Sequence, residues 1–324
     1  MIHKLIRFYY DNKSKVWKII LFIAFIILLI QFINYIIKIN NQLKINNVNS
    51  NTSVINTNNN TINDIGQSTE IKSNKSLTSG EQIEESKIKE VGAIIEKFIN
   101  ACNENDTETA YSLLSQQCKN QMYPTVKDFQ EKYLNYLFKG NIKKTATIEN
   151  WSDNIYKVNL KEDIMATGNS NSKSNQDYIT IVSENGENKL NVNSFVRTET
   201  IDKTNTQNNI EIKIIEKNVY MDYEEYNISI INNSENIILL DPLKSTKSIF
   251  IKDNNNVKYY AYTNEILESF LKVESGKRSQ LSIKFARSYS ETRTIQEMSF
   301  SNLIFNYDKY LTGDLTSDIF TINL

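Results

Sequence analysis

The sequence predicts three successive parts: one membrane-spanning helix, an α+β domain and an all-β sandwich. Three observations carry that fold class. An unbroken apolar run covers Ile19–Ile30. Apolar residues recur at helical spacing between Ile88 and Phe138, then give way to two-residue alternation. From Ile210 onward the chain is nearly all alternation, broken by turn residues at intervals of about ten positions. The expected boundaries are a cytoplasmic tail at 1–15, a transmembrane helix at 16–37 and a disordered Asn-rich linker at 38–79. The α+β domain follows at 80–197, a second linker at 198–209 and the β-sandwich at 210–324.

The apolar run continues from Gln31 to Ile37 with only Gln31 and Asn34 polar. With Val16 and Trp17 it reaches about 20 residues, enough for a helix to cross a bilayer core of roughly 30 Å. Trp17 and Tyr35 fall near its ends, where amphipathic rings prefer to lie. Lys4, Arg7, Lys13, Lys15 and Lys18 precede it against one acid, Asp11. The positive side stays in the cytoplasm, so the expectation is a single-pass type II signal-anchor with the C-terminal mass outside. No small-residue cleavage site follows the run, which disfavours a cleaved signal peptide.

The segment from Asn40 to Ser79 is Asn, Ser, Thr and scattered Ile, with no aromatic residue and no sustained period. Such composition cannot bury a core, and about 40 flexible residues would span roughly 35 Å end to end as a tether. The Asn, Ile, Lys and Tyr bias of the whole chain equally fits inert low-complexity sequence from an AT-rich genome.

Thr78-x-x-Glu81 and Ser79-x-x-Gln82 read as overlapping capping boxes for a first helix carrying Ile88, Val91, Ile95, Phe98, Ile99 and Cys102. Asn105-x-x-Glu108 caps a second and Thr125-x-x-Asp128 a third, which ends at Gly140. Strands are expected at 142–150, 154–163, 177–184 and 187–196, with Asn185-Gly186 as a tight hairpin turn. In the sandwich, Ile210, Ile212 and Ile214 alternate, as do Tyr226, Ile228 and Ile230, and Leu281, Ile283 and Phe285. Asn264–Leu271 is a candidate short helix between strands.

The composition excludes several chemistries. The chain has 324 residues, 40% hydrophobic and 23% charged, with one His and 2 Cys. With His3 as its only histidine it has no Ser-His-Asp triad, Cys-His pair or HExxH helix. Two cysteines make neither a zinc knuckle nor an iron–sulfur cradle. The 8 glycines never fall within ten residues of one another, so no Gly-rich phosphate loop exists. The formal net charge is −1; residues 1–38 carry +5 and residues 39–324 carry −6. An acidic outer part disfavours nucleic acid and anionic wall polymers as main ligands.

The stretch Phe98-Ile-Asn-Ala-Cys-Asn-Glu-Asn-Asp-Thr-Glu-Thr-Ala-Tyr-Ser-Leu-Leu-Ser resembles the first two helices of the nuclear-transport-factor-like cone fold. In that fold a third helix and a curved sheet follow, over about residues 82–197 here. The resemblance implies a concave pocket, used by enzymes and by pure scaffolds alike. An isomerase of that kind needs a buried carboxylate base and acidic donors in one cavity. Tyr111, Tyr133, Asp163 and Tyr178 are candidates by residue type, with core tyrosines and a solvated acid as the plainer reading.

Asp222-Tyr-Glu-Glu-Tyr-Asn-Ile-Ser-Ile-Ile-Asn-Asn-Ser is similar to the early strand and turn of the immunoglobulin-like domains appended to bacterial surface proteins. Tyr220, Tyr223 and Tyr226, and Tyr259, Tyr260 and Tyr262, read either as packing residues or as aromatic platforms for sugars or peptides. Asp222, Glu224 and Glu225 read as a solvated edge, lacking the spacing of a calcium loop. Cys102 and Cys118 read as buried thiols, with a disulfide as the alternative.

The functional expectation is a non-enzymatic, membrane-anchored extracytoplasmic scaffold or binding protein of the cell envelope. The domain plan resembles the bitopic scaffold subunits of conjugation and secretion machines, and the teicoplanin-resistance-associated membrane proteins. The latter carry a zinc ribbon before the anchor, whereas no cysteine precedes it here. Expected partners are the membrane, an envelope protein or wall component and a second copy of the chain, without nucleic acid. No catalytic, cofactor-binding or metal-binding residue is assigned, and no cofactor is called for. A small-ligand or isomerase-like pocket and an envelope sensor remain the alternatives.

Overall fold

The computed structural model describes residues 69–139, 143–162, 174–242 and 247–324. The first layer is a five-stranded sheet of β1 (Thr69–Ser73), β2 (Lys144–Ser152), β3 (Ile155–Glu162), β4 (Ser174–Glu184) and β5 (Glu187–Asn191), in that spatial order. β1 runs parallel to β2 and the other neighbours are antiparallel. The β4–β5 hairpin turns on Asn185 and Gly186, whose φ angles of 54° and 82° are the left-handed pair that a two-residue turn needs.

Helix α1 (Glu85–Asn103) lies against this sheet. Its apolar residues recur three and four apart, so Val91, Ile95, Phe98, Ile99 and Cys102 form one buried stripe. The stripe packs in one core with Ile148, Val158, Leu160 and Ile179 of the sheet. Short helices α2 (Thr107–Ser112) and α3 (Gln116–Met122) follow. Next, α4 (Val126–Phe129) passes through a π-helical turn (Gln130–Leu134) into α5 (Asn135–Leu137). Thr125 caps α4 as its spacing predicts, accepting the Asp128 N–H at 3.1 Å. The boxes at 78–82 cap no helix. Thr78 instead donates to the Trp151 carbonyl at 2.8 Å, and α1 begins only at Glu85.

The remaining strands form two facing sheets. One has the order β13-β8-β7-β6, from β6 (Phe195–Gln207), β7 (Ile210–Tyr220), β8 (Tyr223–Asn232) and β13 (Arg278–Ala286). The other has the order β11-β10-β14-β15, from β10 (Ile249–Asp253), β11 (Lys258–Tyr260), β14 (Ile295–Leu303) and β15 (Asp318–Asn323). A small pair, β9 (Ile238–Leu239) and β12 (Lys272–Val273), completes the set. Inward residues Ile212, Ile228, Ile230 and Ile283 meet Ile251, Met298, Phe300 and Phe320 in a second core. The chain leaving β11 bridges the sheets, Ala261 pairing with Phe285 of β13. At the other edge Asn205 Nδ2 on β6 donates to the Thr321 carbonyl on β15 at 2.7 Å. Between β11 and β12 lie a 3₁₀ turn (Thr263–Glu265) and α6 (Glu268–Leu271); α7 (Tyr307–Leu311) follows β14.

These observations correct the expected fold class. Among the described residues, strands dominate in several sheets and α1 is the one long helix. A separate helical cone-fold domain is not evident. The helices after α1 are fragments of three to seven residues, and the expected second linker is strand β6. That segment is polar but needs little burial, because as an edge strand it pairs on one side only, with β7. Asn208 and Asn209, at φ 51° and 62°, close the hairpin between Gln207 and Ile210. Among the described residues the two facing sheets do not form a separate domain either. Phe195 of β6 and Tyr220 of β7 enter the first core, and Tyr223 of β8 packs against it, so the described residues form one compact unit.

The membrane assignments are corrected likewise. No helix among the described residues is long and apolar enough to cross a membrane. The segment 16–37, expected as a single-pass signal-anchor, lies outside the described residues, as does most of the linker expected at 38–79. The described end of that linker is strand β1 followed by a turn at 77–79.

Candidate functional site

The buried titratable groups form two clusters. The first stands where helices meet sheet. On β4, residues 177, 179 and 181 share one face, so Asp177 points into the core beside Ile179 and Ile181. The π-helical turn brings Tyr133 opposite, and its hydroxyl donates to Asp177 Oδ2 at 2.9 Å. The Asn193 N–H donates to the same oxygen and the Ser194 N–H to Oδ1, each at 2.9 Å. Asn193 and Ser194 both have left-handed backbones, with φ of 59° and 60°, which turns successive N–H groups onto one carboxylate. Burial pushes the Asp177 carboxyl above its usual range, opposed by those three donors. Tyr133 is raised well above the usual tyrosine value, by burial first and by the Asp177 charge second. Phe129 stacks on Tyr133 at 5.3 Å between centroids and Phe98 lies 5.8 Å away, so aromatic rings enclose the dyad.

The isomerase candidates do not converge. Tyr111 donates to the Tyr123 carbonyl at 2.9 Å, and Tyr178 sits edge-on to Trp151 at 5.4 Å in a separate cluster between the layers. Asp163 lies outside the described residues. Only Tyr133 meets a buried carboxylate, and its partner is Asp177.

The second cluster lies at one end of the facing sheets. Glu224 and Arg287 pair at 2.7 Å with side chains 2% and 3% exposed. Tyr226 donates to the other Glu224 oxygen at 2.9 Å. Arg287 Nε and Nη1 have no hydrogen-bond partner among the described residues. The Arg287 guanidinium lies 5.7 Å from the Tyr259 ring centroid and that of Arg293 5.2 Å from it, while Tyr259 donates to Asp253 at 3.0 Å. The acidic run is therefore not a solvated edge: Glu224 is buried, Glu225 faces Lys284 at 3.9 Å, and Asp222 is exposed. Alternation turns neighbouring carboxylates to opposite faces, so they do not gather round one ion.

The tyrosine groups divide in the same way. Tyr220 and Tyr223 stack at 4.2 Å and close the first core, whereas Tyr226 belongs to the second. Tyr259 turns inward, and Tyr260 and Tyr262 stay exposed. With Val257, Leu267 and Phe270 they place five large exposed apolar side chains within the segment 257–270. Both cysteines are free and buried, Cys102 on α1 and Cys118 on α3. Burial pushes the Cys118 thiol up to about 12 and raises Cys102 further.

Asp177, Arg287 and the Arg197 guanidinium, which donates to Tyr289 at 3.1 Å, were not legible as site residues from composition. A signal existed for two of them. Arg287 continues the inward series 281, 283, 285, and Asp177 opens the series 177, 179, 181. No protein-family model, no curated protein and no solved structure matches this chain.

Proposed function

We propose that the chain is a non-enzymatic, extracytoplasmic scaffold or binding protein of the cell envelope. The observation that carries this reading is the exposed apolar segment at 257–270, where Leu267 is 67% and Phe270 48% exposed. Several large apolar side chains left in water within one short segment suit an interaction surface. The buried acids support the reading from the other side. Asp177 and Glu224 are committed to internal donors, which suits architecture better than turnover. Placement outside the cell rests on the sequence, through the apolar run Ile19–Ile30 and the +5 charge of residues 1–38.

The test is site-specific photocrosslinking in cells with the full-length protein, the crosslinker replacing Leu267 in one strain and the exposed Glu235 in a control. A discrete adduct with an envelope protein from position 267 alone is the expected result. Equal or absent adducts at both positions overturn the binding assignment. Protease shaving of intact cells checks the location: degradation of residues 69–324 is expected, and full protection refutes an outside placement.

A further inference from the structure

A cleft of about 430 Å³ opens at one end of the facing sheets, away from the exposed apolar segment in sequence. Four loops build it: the β6–β7 turn with Asn208, the loop after β8 with Asn236, the chain from Phe305 to Lys309, and the stretch from Asp314 into β15. The half-buried Phe305 ring packs on the second core and supplies an apolar wall. Around it the polar groups are only partly used. Asn236 Oδ1 accepts from Asn306 Nδ2 at 2.8 Å, which leaves its own NH₂ available. Asp314 Oδ1 accepts the Thr316 N–H at 3.0 Å, which leaves Oδ2 available. The Asn208 carboxamide, the Ser317 hydroxyl and the Lys309 ammonium make no hydrogen bond or ion pair among the described residues.

Donors and acceptors therefore both line the cleft, beside one aromatic wall. An apolar ligand would bury these groups without partners, which disfavours it. An anion meets Asp314 and Asp318 and a cation meets Lys309, while the Asp318 oxygens already accept from Gln207 Nε2 and the Ile319 N–H, so a neutral ligand avoids both repulsions. A ligand that fits carries hydroxyls able to donate and accept at once, on a body with an apolar face. The volume lies within the range of about 300–1,000 Å³ usual for small-ligand sites. We infer that this cleft binds a short, neutral oligosaccharide, with Phe305 against a sugar face and Asn208, Asn236, Lys309 and Asp314 on its hydroxyls. The inference is independent of the protein-binding segment.

Purified full-length protein is titrated with maltotriose, cellotriose and triacetylchitotriose in turn, by saturation-transfer NMR and calorimetry. Saturable binding of at least one trisaccharide is expected. Asn208→Gly, which keeps the left-handed turn, and Lys309→Ala should each weaken it about fivefold, the loss of one net hydrogen bond. Unchanged thermal unfolding of the two variants shows that the fold is kept. No saturation transfer from any of the three sugars overturns the inference. So does equal affinity in both variants, or tighter binding of triasparagine than of every sugar.

Discussion

The Tyr133 hydroxyl donates to Asp177 at 2.9 Å inside a shell of aromatic rings, and this bond ties the helical layer to the first sheet. Tyr133→Phe removes one of three donors to a buried carboxylate, so a loss of about 1–3 kcal/mol is expected in guanidinium unfolding. Asp177→Ala should cost more. It strips the acceptor from Tyr133 and from two successive backbone N–H groups held in left-handed geometry. Equal stability of Tyr133→Phe and wild type would show that the bond contributes nothing.

The same carboxyl predicts a pH dependence. Burial is the largest influence on Asp177 and raises its pKa above the unfolded value. The folded chain then holds a proton over a range where the unfolded chain has released it. Its contribution to stability is complete below about pH 3.9 and is lost as pH rises through the folded value. Asp177→Asn lacks this slope. The stability difference between wild type and Asp177→Asn should therefore narrow over the interval in which pH rises from about 3.9 through the folded value. A difference that widens over that interval contradicts the raised value.

Glu224 and Arg287 form a charge pair withdrawn from water. Removing one partner leaves the other charge buried, so Arg287→Met should destabilise by about 3–5 kcal/mol. Arg287→Met combined with Glu224→Gln should recover most of that loss, because no unpaired charge remains. A double-mutant cycle in urea measures the coupling, and strict additivity would refute it.

Cys102 and Cys118 should be unreactive in the folded chain. Both are buried and their thiols are raised, Cys118 to about 12, so almost no thiolate exists near neutral pH. Titration with a disulfide reagent at about pH 8 should find both thiols only after guanidinium is added. Rapid modification of the native protein would contradict their placement.

Much of the local structure was legible because it depends on spacing alone. The stripe from Ile88 to Cys102 has the period of a helix and is one. The Asn185-Gly186 turn needs left-handed backbone and has it. Composition misled where it was read in place of period. The polar stretch 198–207 looks like a linker by residue type, yet its pairing with β7 across a two-residue Asn-Asn turn makes it strand β6. Asp177, Glu224 and Arg287 lie on inward-facing series, and residue type alone sent Glu224 to a solvated edge.

The sequence by itself determined the long helix through Ile88–Cys102, the strands that alternate strictly, the Asn185-Gly186 turn, and which catalytic chemistries a chain with one histidine and 2 cysteines lacks. Only the tertiary structure decided which strands share a sheet, that Phe195 and Tyr220 join the helical core, and that Tyr133 finds Asp177 across 44 positions of chain. The division has a physical cause. Helical and strand periods are properties of neighbours in sequence. The pairing of edges, and the partner of a buried charge, depend on groups brought together only when the cores close.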